Sequence, residues 1–111
     1  MTGYPDNLHI FGIYLAKVYF DDKPDVYKVR PVVLIDKAEA LFLVLKITSS
    51  IVQGEPQSYY LNNWRECGLN VPSSVVLSHL YQIPPEDLFC DRHLGSLCKS
   101  DIQAIKVLLE A

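Results

Sequence analysis

The chain has 111 residues, 50% of them hydrophobic, 21% charged and 11% aromatic; this fits one globular domain over residues 1–111 and excludes compositional disorder. A formal net charge of −3 and a pI near 5.5 exclude a protein that coats nucleic acid through bulk charge, while leaving room for a local basic cleft. The longest apolar runs, Pro31–Ile35 and Leu41–Leu45, fall far short of the roughly 20 residues a membrane helix needs. No secretion signal is read at the start of the chain, and the odd count of 3 cysteines fits reduced thiols in a cytoplasmic protein better than a disulfide scaffold.

In chain order, residues 1–8 read as a polar lead-in. Residues 10–20 alternate as a strand, with Ile13, Leu15 and Val18 facing inward. Asp21-Asp22-Lys23-Pro24-Asp25 reads as a turn-rich loop, because Asp favours turns and Pro cannot donate to a sheet ladder. A second strand is predicted from about Tyr27 to Asp36, with Pro31 marking an edge position or a strand start. After a short connection at Lys37–Ala40, residues 41–48 form an apolar third strand buried on both faces. Short links between the three predict an antiparallel meander.

Gln53–Pro56 is a turn and Ser58–Leu61 a short strand, whereas 62–69 has no clear assignment beyond a break at Gly68. Pro72–Leu77 reads as a strand that Tyr81–Ile83 extends or pairs with, and Pro84–Phe89 reads as one helical turn. The last element is a helix capped by Ser100, with Gln103 three positions on as in a capping box. Ile102, Ile105 and Leu109 share one face of it, with Leu108 beside them. Strands first and a helix last predict a mainly β fold: a small antiparallel barrel with short helices and a C-terminal helix packed on it.

Lys17, Lys23, Lys28 and Arg30 lie within 14 residues of one another, while acidic residues concentrate later, at Glu86, Asp87, Asp91 and Asp101. Cys90, His93 and Cys98 have the spacing Cys-x2-His-x4-Cys but show no evident fourth ligand. Structural zinc normally takes four protein ligands at recognisable spacing, and this stretch supplies three, so no metal and no cofactor is expected. Cys67 reads as a small buried hydrophobe.

Several segments together carry a resemblance. Tyr27-Lys28-Val29-Arg30-Pro31-Val32-Val33-Leu34-Ile35 resembles the strand that toxins of the MazF/PemK type build around an Arg-Pro pair followed by aliphatics. Val44-Leu45-Lys46-Ile47-Thr48-Ser49-Ser50 is similar to their next strand, which ends in a Thr-Ser pair. Trp64, Gly68-Leu69, Pro72-Ser73, Leu88, Gly95-Ser96-Leu97 and Asp101 follow in the family's order, so the resemblance spans roughly residues 11–109.

The resemblance implies an SH3-like antiparallel barrel and a toxin of a type II toxin–antitoxin system. It further implies a homodimer, a cognate antitoxin as partner, and metal-independent, sequence-specific endoribonuclease activity on single-stranded RNA. Carried over, Arg30 and Thr48 are the expected catalytic residues and Ser49 a helper. Lys28, Tyr27 and Lys23 are expected to contact RNA, with Tyr27 or Tyr19 stacking on bases. A guanidinium offers a permanently charged fork to a phosphate gaining negative charge, and a hydroxyl can steer a 2′-OH.

No general base is evident; His79 and His93 are candidates by residue type. The chain departs from the family's pattern in two places: the first strand reads Phe11-Gly12-Ile13-Tyr14 and lacks the usual Asp, and the Arg that often follows Pro-Ser falls at Val76. Phosphate binding would then pass to another residue such as Arg92. The alternative is a non-catalytic or gyrase-directed protein of the same barrel fold that acts by binding.

Overall fold

The computed structural model describes residues 8–20, 22–38, 40–49 and 57–110. Strands β1 (Gly12–Phe20), β2 (Lys23–Lys37), β3 (Phe42–Thr48), β4 (Ser58–Tyr60), β5 (Ser74–Ile83) and β6 (Leu88–Ser96) precede helix α1 (Lys99–Glu110), and a 3-10 turn occupies Pro85–Asp87. All pairings are antiparallel, in the order β4-β5-β3-β2-β1-β6. This is the expected mainly β architecture with a C-terminal helix; the sheet is barrel-like and stays open between β4 and β6. Register shifts interrupt the β1–β6, β2–β3 and β3–β5 ladders, and such bulges increase the local twist that curls a sheet.

The curled sheet buries both faces. Along β1, Tyr14, Ala16 and Val18 enter one cluster with Val32, Leu34, Phe42 and Val44. Ile13 enters the other, with Val33, Leu45, Ile47, Cys67, Val75 and Ile105. Successive side chains of a strand point to opposite faces, so Ile13 and Val18, read together as inward-facing, support different cores. The third strand is buried on both faces as its unbroken apolar run predicts. Cys67 is fully buried, as expected.

Four boundaries differ from the sequence expectation. Lys23–Asp25 belong to β2 rather than to a loop. Between Lys23 and Pro31 the register pairs run to β1 alone, with Pro24–Val26 left out of them by an irregularity, and the β3 ladder begins at Val32↔Lys46, so the prolines at 24 and 31 sit on a locally unpaired edge where a missing N–H is tolerated. β5 is one continuous strand across Ser78–Leu80. β6 was not anticipated, because its exposed centre, Asp91-Arg92-His93, carries no alternating apolar signal. α1 starts at Lys99, with Ile102 N–H donating to the Cys98 carbonyl at 2.9 Å. Ser100 is therefore inside the helix and does not cap it, and Leu109 is 41% exposed rather than packed. The expected turn at Gln53–Pro56, Asp21 and most of the N-terminal lead-in lie outside the described residues. No helix among the described residues is long and apolar enough to cross a membrane.

β4 is tied to α1 by Tyr59, whose hydroxyl donates to Asp101 Oδ1 at 2.7 Å. Loss of water, then the hydrogen bond to the Asp101 carboxylate, pushes the Tyr59 phenol up to about 12 from an ordinary 10.0. Burial pushes the Cys67 thiol up to about 11 from 9.0. Both groups hold their protons more tightly folded than unfolded, so the stability they contribute is complete below about pH 9 and is lost as pH rises through about 12. Urea midpoints measured across this range should fall with rising pH. Tyr59→Phe should remove the tyrosine part of that fall and, by stranding the Asp101 carboxylate, cost about 1–3 kcal/mol at neutral pH.

Candidate active site

A cavity of about 440 Å³ opens where β2 and β3 part company. The last described rung of their ladder near this end is Val32↔Lys46. The same register carried two residues further sets Arg30 against Thr48, on strands that are no longer paired. Lys28, Val29, Arg30 and Pro31 line one wall, and Ile47, Thr48 and Ser49 line the next. The loop following the 62–68 turn contributes Leu69, Asn70, Val71 and Ser73, and β6 contributes Arg92 and Leu94. Its Ser73 hydroxyl is spent on the loop itself, donating to the Val71 carbonyl at 2.8 Å.

The electrostatics of this cavity oppose those of the chain. Lys28, Arg30 and Arg92 line it, and no Asp or Glu is among its described lining residues, although the whole chain is acidic. Three cations in a lining that also holds the apolar Leu15, Ile47 and Leu94 favour negative charge: the positive groups reinforce one another, and apolar walls reduce screening by water. Thr48 and Ser49 add hydroxyls to the lining, and a hydroxyl donates to an anionic oxygen.

Of the residues singled out from the sequence, Arg30, Thr48, Ser49 and Lys28 come together here, and Arg92 joins them from the far edge of the sheet. Tyr27 and Lys23 do not line the cavity. Tyr27 is 44% exposed on the β1–β2 ribbon, with the Tyr19 ring 5.3 Å away and the Lys17 ammonium 4.9 Å from its ring centre. The two histidines considered as bases are elsewhere. His79 packs edge-on against Tyr81 with centroids 4.2 Å apart, and His93 stacks on Tyr14 at 4.8 Å. The Cys90–His93–Cys98 spacing does not form a cluster: among the described residues the potential metal ligands that converge are Cys67, Cys98 and Asp101. Sequence reasoning missed the wall made by Asn70 and Val71, and the only local signal for it was Gly68.

Gly68 holds that wall in place. Its φ is +93°, a conformation L side chains rarely adopt, and a Cβ there would collide with the Leu94 carbonyl oxygen of β6. Reciprocally, a Cβ on Gly95 would strike the Cys67 carbonyl oxygen. The turn and the strand thus touch backbone to backbone.

No protein-family model matches the sequence, and neither does any curated protein. Among solved structures, the Mycobacterium tuberculosis toxin MazF-mt6 superposes with a TM-score of 0.66 at 24% sequence identity, over 88% of this chain and 91% of that one. The chain has a MazF-like fold.

Gly68→Ala should lower stability by at least about 2 kcal/mol, since left-handed strain alone costs about 1–3 kcal/mol and the Leu94 carbonyl must also move. Gly95→Ala, free of the φ penalty, should still destabilise. Denaturant midpoints at the wild-type value for both variants would mean that the turn does not rest on β6.

Proposed function

We propose that the chain is the toxin of a type II toxin–antitoxin pair and cuts single-stranded RNA in this cavity without a catalytic metal ion. The observation that carries the reading is the cavity itself: three cations and the hydroxyls of Thr48 and Ser49, with no carboxylate among its described lining, on a chain of net charge −3. The MazF-like fold supports it.

In the reaction the RNA 2′-OH attacks the adjacent phosphorus and loses its proton. The P–O5′ bond breaks, the 5′ oxygen takes up a proton, and a 2′,3′-cyclic phosphate remains. Negative charge grows on the non-bridging oxygens as the attack proceeds. Arg30 presents two parallel N–H donors to those oxygens and is in place before the charge develops, so it favours the transition state over the ground state. Arg92 approaches the same space from β6 and supplies a second fixed charge. It takes the duty that the family's Arg after Pro-Ser would have: Val76 is 5% exposed and pairs with Ser58 on the β4–β5 ladder, where it serves packing. Thr48 steers the attacking hydroxyl, and Ser49 and Lys28 hold the flanking phosphates. Tyr27 and Lys23 lie further along β2 and extend the track for bases and backbone beyond the reacting phosphate.

The same reading makes the chain a cytoplasmic homodimer restrained by a cognate antitoxin, with no cofactor. Val107, Leu108 and Leu109 on α1 are 56%, 47% and 41% exposed, apolar surface on the last turns of the helix that a second copy would cover.

The test is incubation with a long single-stranded RNA in EDTA, below the melting transition of the chelated protein, with new 5′ ends mapped. Wild type should cut at a short recurrent sequence. Arg30→Ala should be slower by about 10²–10³, and Arg30→Lys should recover only part of that, because an ammonium keeps the charge but not the fork. RNA bound but never cut by folded wild type would favour the binding-only alternative, and DNA gyrase inhibition without RNA cleavage the gyrase-directed one. His79→Ala should cut at the wild-type rate within about twofold, whereas a true general base would cost about 10²–10⁴.

A further inference from the structure

Away from the cavity, three potential metal-binding side chains meet at the start of α1. Cys98 precedes the first helical residue, Asp101 lies one turn on, and Cys67 arrives from the turn that Gly68 presses onto β6. One ligand atom from each, the two Sγ atoms and a carboxylate oxygen, lie within 4.8 Å of one another. A tetrahedral ion with metal–sulfur bonds of about 2.3 Å and metal–oxygen bonds of about 2.0–2.2 Å separates its ligand atoms by roughly 3.5–3.8 Å. The observed spread exceeds that separation by about 1 Å.

A second observation points the same way. Asp101 is 1% exposed; Oδ1 accepts the Tyr59 hydroxyl, while Oδ2 is buried and has no hydrogen-bond partner. A buried polar atom left without a partner costs about 1–3 kcal/mol, so its persistence calls for an unseen one. Tyr59 takes the role of the supporting hydrogen bond that orients a ligating carboxylate. The helix N-terminus favours the negative charge that thiolates and a carboxylate bring. Cys98 is half-buried, which gives an ion a way in.

We infer that Cys67, Cys98 and Asp101 bind one zinc-class divalent cation, with solvent completing the fourth position. Two thiolates and a carboxylate select a borderline-soft ion such as zinc over magnesium or calcium. None of the three ligands lines the cavity, so the ion acts as a clamp. It fastens the turn that carries the Leu69–Ser73 wall to the helix, and it is separate from the metal-independent chemistry proposed for Arg30 and Thr48. On binding, each thiol loses its proton to solvent and no electron is transferred.

The experiment is titration of the reduced, metal-free full-length protein with Co(II), whose spectrum reports its ligands. One equivalent should bind, with a near-ultraviolet thiolate-to-cobalt band and the visible bands of a tetrahedral site, and zinc should displace it. Asp101→Asn and Cys98→Ser should each weaken binding by at least about a hundredfold, and Cys90→Ser should bind as wild type does. Since a ligand variant can lose its fold, wild type offers a second readout: zinc should protect Cys98 from alkylation and raise the melting temperature.

Octahedral cobalt spectra, undiminished binding by Asp101→Asn and Cys98→Ser in folded protein, or no binding at all would overturn the inference. So would a Cys67–Cys98 disulfide that forms as readily in zinc-loaded as in metal-free protein. None of these readouts depends on RNA, so a failure of the ribonuclease reading leaves this inference standing, and the reverse holds.

Discussion

The contact on which the rest depends is that of Gly68 and Gly95, where the backbone of a turn lies directly against the backbone of β6. Only residues without a Cβ permit that approach, and only a residue at ease with φ of +93° completes the turn. Because the turn is seated there, its two flanks have fixed destinations. On one side Leu69–Ser73 become a wall of the cavity. On the other Cys67 is driven into the second core beside Cys98 and Asp101. A single steric fact thus positions both the cavity and the side-chain cluster at the start of the helix.

The second constraint is the length of β2. At 15 residues it outruns β3, and before Val32 its register pairs are with β1 only. The fork left between the two strands is the mouth of the cavity. Prolines are tolerated along this stretch for the same reason that the fork exists: no ladder on that side needs their N–H. Arg30 sits at the point of divergence, where a side chain can face open space while its backbone stays anchored on β1 through Ala16.

Charge follows the same local logic. The acidic balance belongs to the chain as a whole, whereas the cavity collects Lys28 and Arg30 from β2 and Arg92 from β6. Over distances shorter than the screening length, about 8–10 Å in physiological salt, local arrangement outweighs net charge.

The sequence by itself determined the fold class, the first three strands and the terminal helix, because apolar periodicity within an element needs no partner to be seen. It also marked Arg30, Thr48, Ser49 and Lys28, through dipeptides whose order along the chain resembles one family. Only the tertiary structure decided which of the marked residues meet. Arg92 reaches the cavity because β6 crosses back to pair with β1, while Tyr27 and Lys23 lie outside its lining on the far stretch of β2. β6 itself was invisible, since an exposed edge strand owes its conformation to the partner's hydrogen bonds rather than to its own pattern. The same holds for the cysteines: spacing suggested Cys90, His93 and Cys98, but long-range packing joined Cys98 to Cys67 and Asp101, a neighbour relation that distance along the chain does not encode.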